Sequence, residues 1–256
     1  MSPLPLAGRR VLVTRARLQA GKLIDGLRAL GAEPVLVPGL EIVPPESYAA
    51  LDDALQNLDR YDWLILTSFN TLQAIGARCV LFGVNPAYAQ RLKVAAVGSA
   101  TADAARRAGF RVEIIPASYV AEGLVKSLRD QVDGKRILLA RAAVARDVIP
   151  DALQVAGAQV DIVDAYQNVM PKNVPEQLHR AVAEGLDAAT FTSSSSVMHL
   201  AEAAGVAAIA WPLAGVPAVS IGPITSQTLR DLGWPPAVEA NPSSVSGLIT
   251  AVACLF

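Results

Sequence analysis

Two short stretches of the chain combine a glycine, small polar side chains and the start of an amphipathic run. They are Gly98-Ser-Ala-Thr101 and Gly222-Pro-Ile-Thr225, and a short apolar run precedes each of them. This pattern predicts a buried strand, a tight turn and a helix whose first backbone N–H groups are unpaired. Such N–H groups, at the positive end of the helix dipole, bind anions. Two such turns favour an anionic ligand, although close packing explains either glycine alone equally well.

Hydroxyls, amides and arginines are predicted at the same edge, where strands end and helices begin. The candidate substrate-binding residues are Arg15, Ser68, Asn70, Gly98, Ser99, Thr101, Arg141, Ser193, Ser194, Ser195, Gly222, Pro223 and Thr225. An ordinary helix N-cap explains any single hydroxyl among them better than ligand binding does. Their recurrence in both halves of the chain is what favours an anion-binding cleft.

Tyr166 is a separate candidate, because it lies where the chain is predicted to cross between domains. Its hydroxyl is in a position to reach the cleft, and the packing of a linker is the alternative explanation. His179 and His199 lie in helical patterns and are interpreted as surface or satisfied residues rather than bases. The run Ser193-Ser-Ser-Ser196 lacks the glycine elbow of a nucleophilic serine. The sequence also has no dinucleotide fingerprint and no P-loop.

The elements that position these residues alternate between strands and helices, and their landmarks occur twice. Lys135–Arg141 repeats Arg9–Arg15, and Phe191-Thr-Ser193 repeats Leu66-Thr-Ser68, at a nearly constant offset. This order indicates a duplicated βα unit. Strands and helices joined by short connections predict parallel sheets covered on both faces, with ligands beyond the carboxyl ends of the strands.

Proline-containing stretches, rather than the joint between the repeats, have the composition of linkers. The joint at Asp133-Gly-Lys135 is short, whereas Pro38–Pro45 and Tyr166–Pro175 are typical of connecting segments. One domain is therefore predicted to be inserted in the other. The predicted limits are residues 1–37 plus 172–256 for domain 1, residues 42–166 for domain 2, and residues 38–41 and 167–171 for the linkers.

Composition excludes several classes of protein. The 256 residues are 52% hydrophobic and 18% charged, with a net charge of −1, so no basic field favours a nucleic-acid partner. Cys79 and Cys254 lie far apart and are predicted to be core residues, with neither disulfide nor metal-site spacing. The first ten residues are not typical of a signal peptide, and prolines interrupt the longest apolar run, Val206–Val219. We expect no membrane partner and a cytoplasmic location.

Taken together, these residues resemble the uroporphyrinogen-III synthase family. The resemblance covers nearly the whole chain, through Val11–Arg15, Asp62–Ser68, Val97–Ala102, Leu138–Arg141, Tyr166-Gln167, Phe191–Ser193 and Ile221–Thr225. It implies an α/β fold of two flavodoxin-like, doubly wound parallel-sheet domains joined by a two-strand linker. It also implies the cyclisation of linear hydroxymethylbilane to uroporphyrinogen III, with inversion of ring D and loss of water, in tetrapyrrole (haem, sirohaem, cobalamin and chlorophyll) biosynthesis.

The resemblance assigns roles to single residues and names the partners. Tyr166 corresponds to the motif tyrosine, a candidate to assist departure of the substrate hydroxyl, and Thr225 corresponds to the motif threonine. No cofactor and no metal are implied. The expected partners are hydroxymethylbilane, with its eight carboxylates, and transiently the upstream deaminase, and the protein is expected to be a monomer. The alternative is a non-catalytic two-lobed binding or regulatory protein for an anionic ligand, which the fold alone does not exclude.

Limited proteolysis tests the predicted insertion of one domain in the other. We expect the first cuts near Pro38–Pro45 or Tyr166–Pro175, because linkers with few contacts are cleaved before compact domains. Mass spectrometry of the fragments locates the cuts. Preferential cleavage at Asp133-Gly134, giving two separately folded halves, contradicts the prediction.

Overall fold

The computed structural model describes residues 4–118 and 120–256. Residues 1–3, with which the predicted domain 1 and the signal-peptide argument begin, lie outside the described residues. The chain divides into two compact units. The first unit comprises the chain up to Glu41 together with Val169–Phe256, and the second unit is Ile42–Asn168. The domain limits drawn from the sequence stay a prediction for the proteolysis experiment.

Strands and α-helices alternate along the described chain, as the sequence predicts. The strands are β1 (Arg10–Val13), β2 (Glu33–Leu36), β3 (Glu41–Val43), β4 (Trp63–Leu66), β5 (Lys93–Ala96), β6 (Val112–Ile114), β7 (Arg136–Ala142), β8 (Gln159–Val169), β9 (Ala188–Phe191), β10 (Ala218–Ser220) and β11 (Val238–Glu239). The helices are α1 (Gly21–Ala29), α2 (Ala49–Gln56), α3 (Phe69–Phe82), α4 (Ser99–Arg107), α5 (Ala121–Leu128), α6 (Val148–Val155), α7 (Val174–Ala183), α8 (Ser194–Val206), α9 (Pro223–Asp231) and α10 (Val245–Ala253). Within the described residues, none of these helices has the length and apolar composition needed to cross a membrane.

Each unit contains one sheet. The strand order is β11-β10-β9-β1-β2 in the first unit and β3-β8-β7-β4-β5-β6 in the second. All four neighbouring pairs of the first sheet are parallel, and so are the pairs from β8 to β6 in the second. The predicted two-domain α/β fold with parallel sheets is thus confirmed. Because β1 pairs with β9 and β4 pairs with β7, each sheet joins strands from both halves of the chain. The duplication itself remains an interpretation of the sequence.

Helices cover both faces of each sheet. In the first unit, α7, α8 and α9 pack around Phe191 on one face, and α1 and α10 pack around Leu23 on the other. In the second unit, α2, α3 and α4 pack around Ile75, while α5 and α6 pack around Leu124. The strands are therefore buried on both faces, which explains why β4 is a continuous run of apolar residues.

The chain crosses between the units within two strands that are neighbours in a sheet. One boundary falls between Glu41 and Ile42 in β3, and the other falls between Asn168 and Val169 in β8. Residues 167–169 of the predicted linker lie in β8, and the limits of both predicted linkers stay a prediction. β3 and β8 are neighbours in the sheet of the second unit.

The two cysteines differ in burial. Cys79 is buried as predicted, and burial raises the pKa of its thiol to about 11. The prediction that Cys254 is a core residue is wrong, because Cys254 is exposed. Helix α10 ends at Ala253, so Cys254 lies beyond the turns that bury Leu248 and Val252.

Candidate active site

In the second unit, the predicted site residues lie at the carboxyl ends of four neighbouring strands. Tyr166 lies in β8, Arg141 lies in β7, Ser68 follows β4, and Gly98 follows β5. Parallel strands end at the same edge of a sheet, so the topology collects residues that are far apart in the sequence. In particular, Tyr166 Oη lies 3.2 Å from Ser68 Oγ.

A change of register places Tyr166. Along β7 and β8, Arg141 pairs with Asp164, but the next residue, Ala142, pairs with Tyr166. Ala165 is therefore the extra residue of a bulge, a feature that re-aims side chains near functional sites. The Tyr166 carbonyl accepts a hydrogen bond from the N–H of Ala143 at 2.8 Å, and the side chain is buried.

Ser68 and Ser193 occupy matching positions, as the N-caps of α3 and α8. Ser68 Oγ accepts a hydrogen bond from the Thr71 N–H, and Ser193 Oγ accepts one from the Ser196 N–H, both at 3.2 Å. Both serines therefore act as the ordinary caps that the alternative interpretation describes. Ser68 differs from Ser193 in its additional contact with Tyr166.

The start of α4 is open. Gly98 has extended backbone and contributes no capping side chain, and Ser99, the first helical residue, is exposed. A Cβ atom at Gly98 would meet nothing within 4 Å, so packing does not require glycine there. Thr101 is buried in the first turn. The N–H groups of this turn are therefore available to an anion.

The start of α9 is similar but more crowded. Gly222 is extended, and a Cβ atom there would lie 2.7 Å from Ser243 Oγ. Pro223 occupies the first helical position, where its missing N–H removes no helical hydrogen bond. Thr225 is buried one turn into the helix, as Thr101 is in α4.

Three side-chain contacts fix α9 in the first unit. Ser226 Oγ donates to Glu239 Oε2 and lies 2.5 Å from Ser220 Oγ, which joins α9 to β10 and β11. Thr228 Oγ1 lies 2.7 Å from Ser194 Oγ, which joins α9 to α8. Ser194 is thus engaged with a neighbouring helix. Asn70 and Ser195 are the second residues of α3 and α8.

The structure distinguishes the two predicted arginines. Arg141 Nη2 forms an ion pair with Asp147 Oδ1 at 2.7 Å, and Arg141 Nη1 donates to the Arg146 carbonyl at 3.2 Å. Arg15 forms no ion pair with any described residue, and burial lowers the pKa of its guanidinium. Within the described chain, the Nε atoms of both arginines are buried without a hydrogen-bond partner. A bound anion would supply the partner that Arg15 lacks.

Sequence analysis missed Thr71, Ser226 and Asp147. A signal for Thr71 and its counterpart Ser196 exists, because each is a hydroxyl residue three positions after a capping serine. The ion pair of Asp147 has no such signal, since it depends on the conformation of the loop after β7.

Each sheet has helix starts and hydroxyls at its carboxyl edge, as in α/β proteins that bind anionic ligands. The family model described as "Uroporphyrinogen-III synthase HemD" matches residues 21–250. A curated uroporphyrinogen-III synthase from Synechococcus elongatus is 34% identical over 98% of this chain and 97% of its own length. The chain therefore belongs to the uroporphyrinogen-III synthase family.

Solved structures share the fold. A mutant uroporphyrinogen III synthase from Thermus thermophilus matches with a TM-score of 0.73 and 18% identity, covering 97% of this chain and 99% of that one. A uroporphyrinogen-III synthetase from Helicobacter pylori matches with a TM-score of 0.63 and 16% identity, covering 97% of this chain and 100% of that one. At these identities the likeness concerns the fold.

Replacement of Arg15 by methionine tests whether its guanidinium is unpaired. We expect Arg15→Met to raise the free energy of unfolding of the protein by about 1 kcal/mol, because a buried polar group without a partner is removed while its alkyl packing is kept. Arg141→Met is the matched control, and it should lower stability because the ion pair with Asp147 and the hydrogen bond to the Arg146 carbonyl are lost. Urea unfolding measures both. Equal destabilisation by the two substitutions contradicts the assignment.

Proposed function

We propose that the chain cyclises hydroxymethylbilane to uroporphyrinogen III, with inversion of ring D and loss of water. The observation that carries this proposal is the match to uroporphyrinogen-III synthases over nearly the whole chain. The geometry agrees with it, because each unit offers anion-receptive helix starts and the second unit holds a tyrosine hydroxyl at the same edge.

The substrate carboxylates are proposed to bind at the carboxyl edges of the sheets. Three features there suit carboxylates: the open start of α4 at Gly98, the start of α9 at Gly222, and the unpaired guanidinium of Arg15. Helix N-terminal amides bind carboxylates through hydrogen bonds and the helix dipole. Arginine adds a charge-assisted hydrogen bond. Arg141 is a weaker candidate, since Asp147 already neutralises it.

The reaction requires little covalent chemistry from the protein. Departure of the hydroxyl, which takes up a proton and leaves as water, gives a reactive azafulvene that closes spontaneously to the unflipped isomer. Substrate and product differ by one water, so the reaction needs no oxidant or reductant. The protein is proposed to hold the conformation in which ring D is attacked at its substituted carbon, through a spiro intermediate. Exclusion of water and stabilisation of the developing cation complete the task.

Tyr166 is proposed to assist departure of the hydroxyl as a hydrogen-bond donor. A phenol hydroxyl is both a donor and an acceptor. The histidines offer no clear substitute in this role. His199 Nδ1, for example, lies 2.9 Å from the Gly39 carbonyl and is engaged with the backbone of the first unit.

Three statements on the setting of the enzyme remain predictions. They are action as a monomer, transient contact with the upstream deaminase, and a cytoplasmic location. The sequence and the family resemblance support them.

Product analysis tests the function and the role of Tyr166 together. The wild-type protein should convert hydroxymethylbilane to the type III isomer, and Tyr166→Phe should lower kcat by about 10²-fold or less while still giving type III, because positioning dictates the isomer. Oxidation of the products and separation of the type I and III isomers measures both. Tyr61→Phe is the matched control. Tyr61 is also buried, but it lies before β4 and its hydroxyl donates to Asp161 Oδ2.

Each departure from these results has its own meaning. Type I product alone from the wild-type protein overturns the proposed activity and favours the non-catalytic alternative. Wild-type turnover in Tyr166→Phe removes the chemical role of Tyr166. A type I product from that variant assigns Tyr166 to folding of the bilane instead.

A further inference from the structure

Ser68 Oγ lies within hydrogen-bond distance of three groups. They are the Thr71 N–H at 3.2 Å, Thr71 Oγ1 at 3.1 Å and Tyr166 Oη at 3.2 Å. A serine hydroxyl has one proton to donate and two lone pairs with which to accept. Its hydrogen bonds are therefore all used, and the direction of each bond restricts the other two.

The burial of Thr71 fixes the first direction. Thr71 is fully buried. In the described part of the chain, the one hydrogen-bond partner of its hydroxyl is Ser68 Oγ. If Thr71 accepted from Ser68, the Thr71 proton would be buried without an acceptor, which costs about 1–3 kcal/mol. Thr71 Oγ1 therefore donates to Ser68 Oγ.

The remaining directions follow by counting protons. Ser68 Oγ accepts from the Thr71 N–H and from the Thr71 hydroxyl, so both of its lone pairs are occupied. It has no lone pair left for the Tyr166 proton, and it donates its own proton to Tyr166 Oη. The proton of Tyr166 is thereby turned away from Ser68 and is available to another acceptor.

We propose that Thr71, acting through Ser68, is a positioning residue that orients the hydroxyl of Tyr166 for donation to the leaving hydroxyl of the substrate. The proposal rests on the proposed function, in which Tyr166 assists that departure. A phenol that accepts a hydrogen bond is a stronger donor, because chains of hydrogen bonds polarise one another. The negative charge that develops on Tyr166 Oη as it donates is stabilised by the Ser68 proton.

The matching N-cap in the first unit, Ser193, is not part of such a series of hydrogen bonds among the described residues. Ser196 stands where Thr71 stands, and it is fully buried as well. Its hydroxyl donates to the Ser193 backbone carbonyl at 2.7 Å instead of to the capping Oγ. Ser196 therefore resembles Thr71 as a buried hydroxyl at a helix start. Unlike Thr71, it is not connected by hydrogen bonds to a tyrosine in the part of the chain that the structure describes.

A double-mutant cycle between Thr71 and Tyr166 tests the proposal. Thr71→Val removes the hydroxyl at nearly constant shape, and it should lower kcat by roughly 3- to 10-fold, the effect of one lost hydrogen bond, with KM little changed. Thr71→Ser restores the hydroxyl and should restore kcat. In the Tyr166→Phe background, Thr71→Val should have no further effect on kcat, because its influence passes through the Tyr166 hydroxyl.

Controls separate positioning from stability. Ser196→Ala removes the corresponding buried hydroxyl of the first unit and should leave kcat near the wild-type value, although it lowers stability. If Thr71→Val does not fold, Thr71→Ala enters the same cycle. An unchanged kcat in Thr71→Val, or an equal loss in both backgrounds, overturns the proposal while leaving the function intact. Wild-type turnover in Tyr166→Phe instead overturns the proposed role of Tyr166, on which the role of Thr71 rests.

Discussion

In a parallel sheet every strand ends at the same edge, and the helix that follows each strand begins there with unpaired N–H groups. This constraint determines where the candidate site lies. It brings Tyr166 to Ser68 across 98 positions of the sequence, and it collects the turns at Gly98 and Gly222 at equivalent edges of their own sheets. In the proposed function, backbone N–H groups at helix starts bind the substrate carboxylates, so few charged side chains are needed.

In the first unit, Arg15 lies at the edge of the sheet and forms no ion pair with any described residue. Arg15 is half-buried, and its Nε atom is buried without a hydrogen-bond partner among the described residues, whereas Arg141 at the corresponding edge of the second unit has Asp147 as its ion-pair partner. A buried polar atom without a partner opposes folding. A carboxylate that binds Arg15 need not displace an internal acid. The same ligand at Arg141 must compete with Asp147, so the two arginines differ in their capacity to bind an anion.

The sequence predicts the layers and the edge far better than it predicts contacts. Apolar runs, glycine stops and capping hydroxyls are local signals, and they place Ser68 and Ser193 at helix starts correctly. The 3.2 Å contact between Tyr166 and Ser68 depends on the bulge at Ala165. No local sequence pattern predicts that bulge. The exposure of Cys254 escapes prediction for a related reason, because α10 ends at Ala253 and its buried face does not reach the next residue.

A neutral donor suits the departure of this leaving group better than a charged acid. The pyrrole nitrogen pushes the hydroxyl out, so partial proton transfer is enough, and a cation forms beside the donor. An imidazolium or an ammonium at that place would repel this cation, strongly so where water is excluded. In the proposed mechanism the Tyr166 hydroxyl donates to the leaving group, and its oxygen becomes more negative as it donates. The proposed hydrogen bond from Ser68 would stabilise that change, with its direction set by the contact of Ser68 with the buried Thr71. A site built in this way would respond to the charge only as the charge develops.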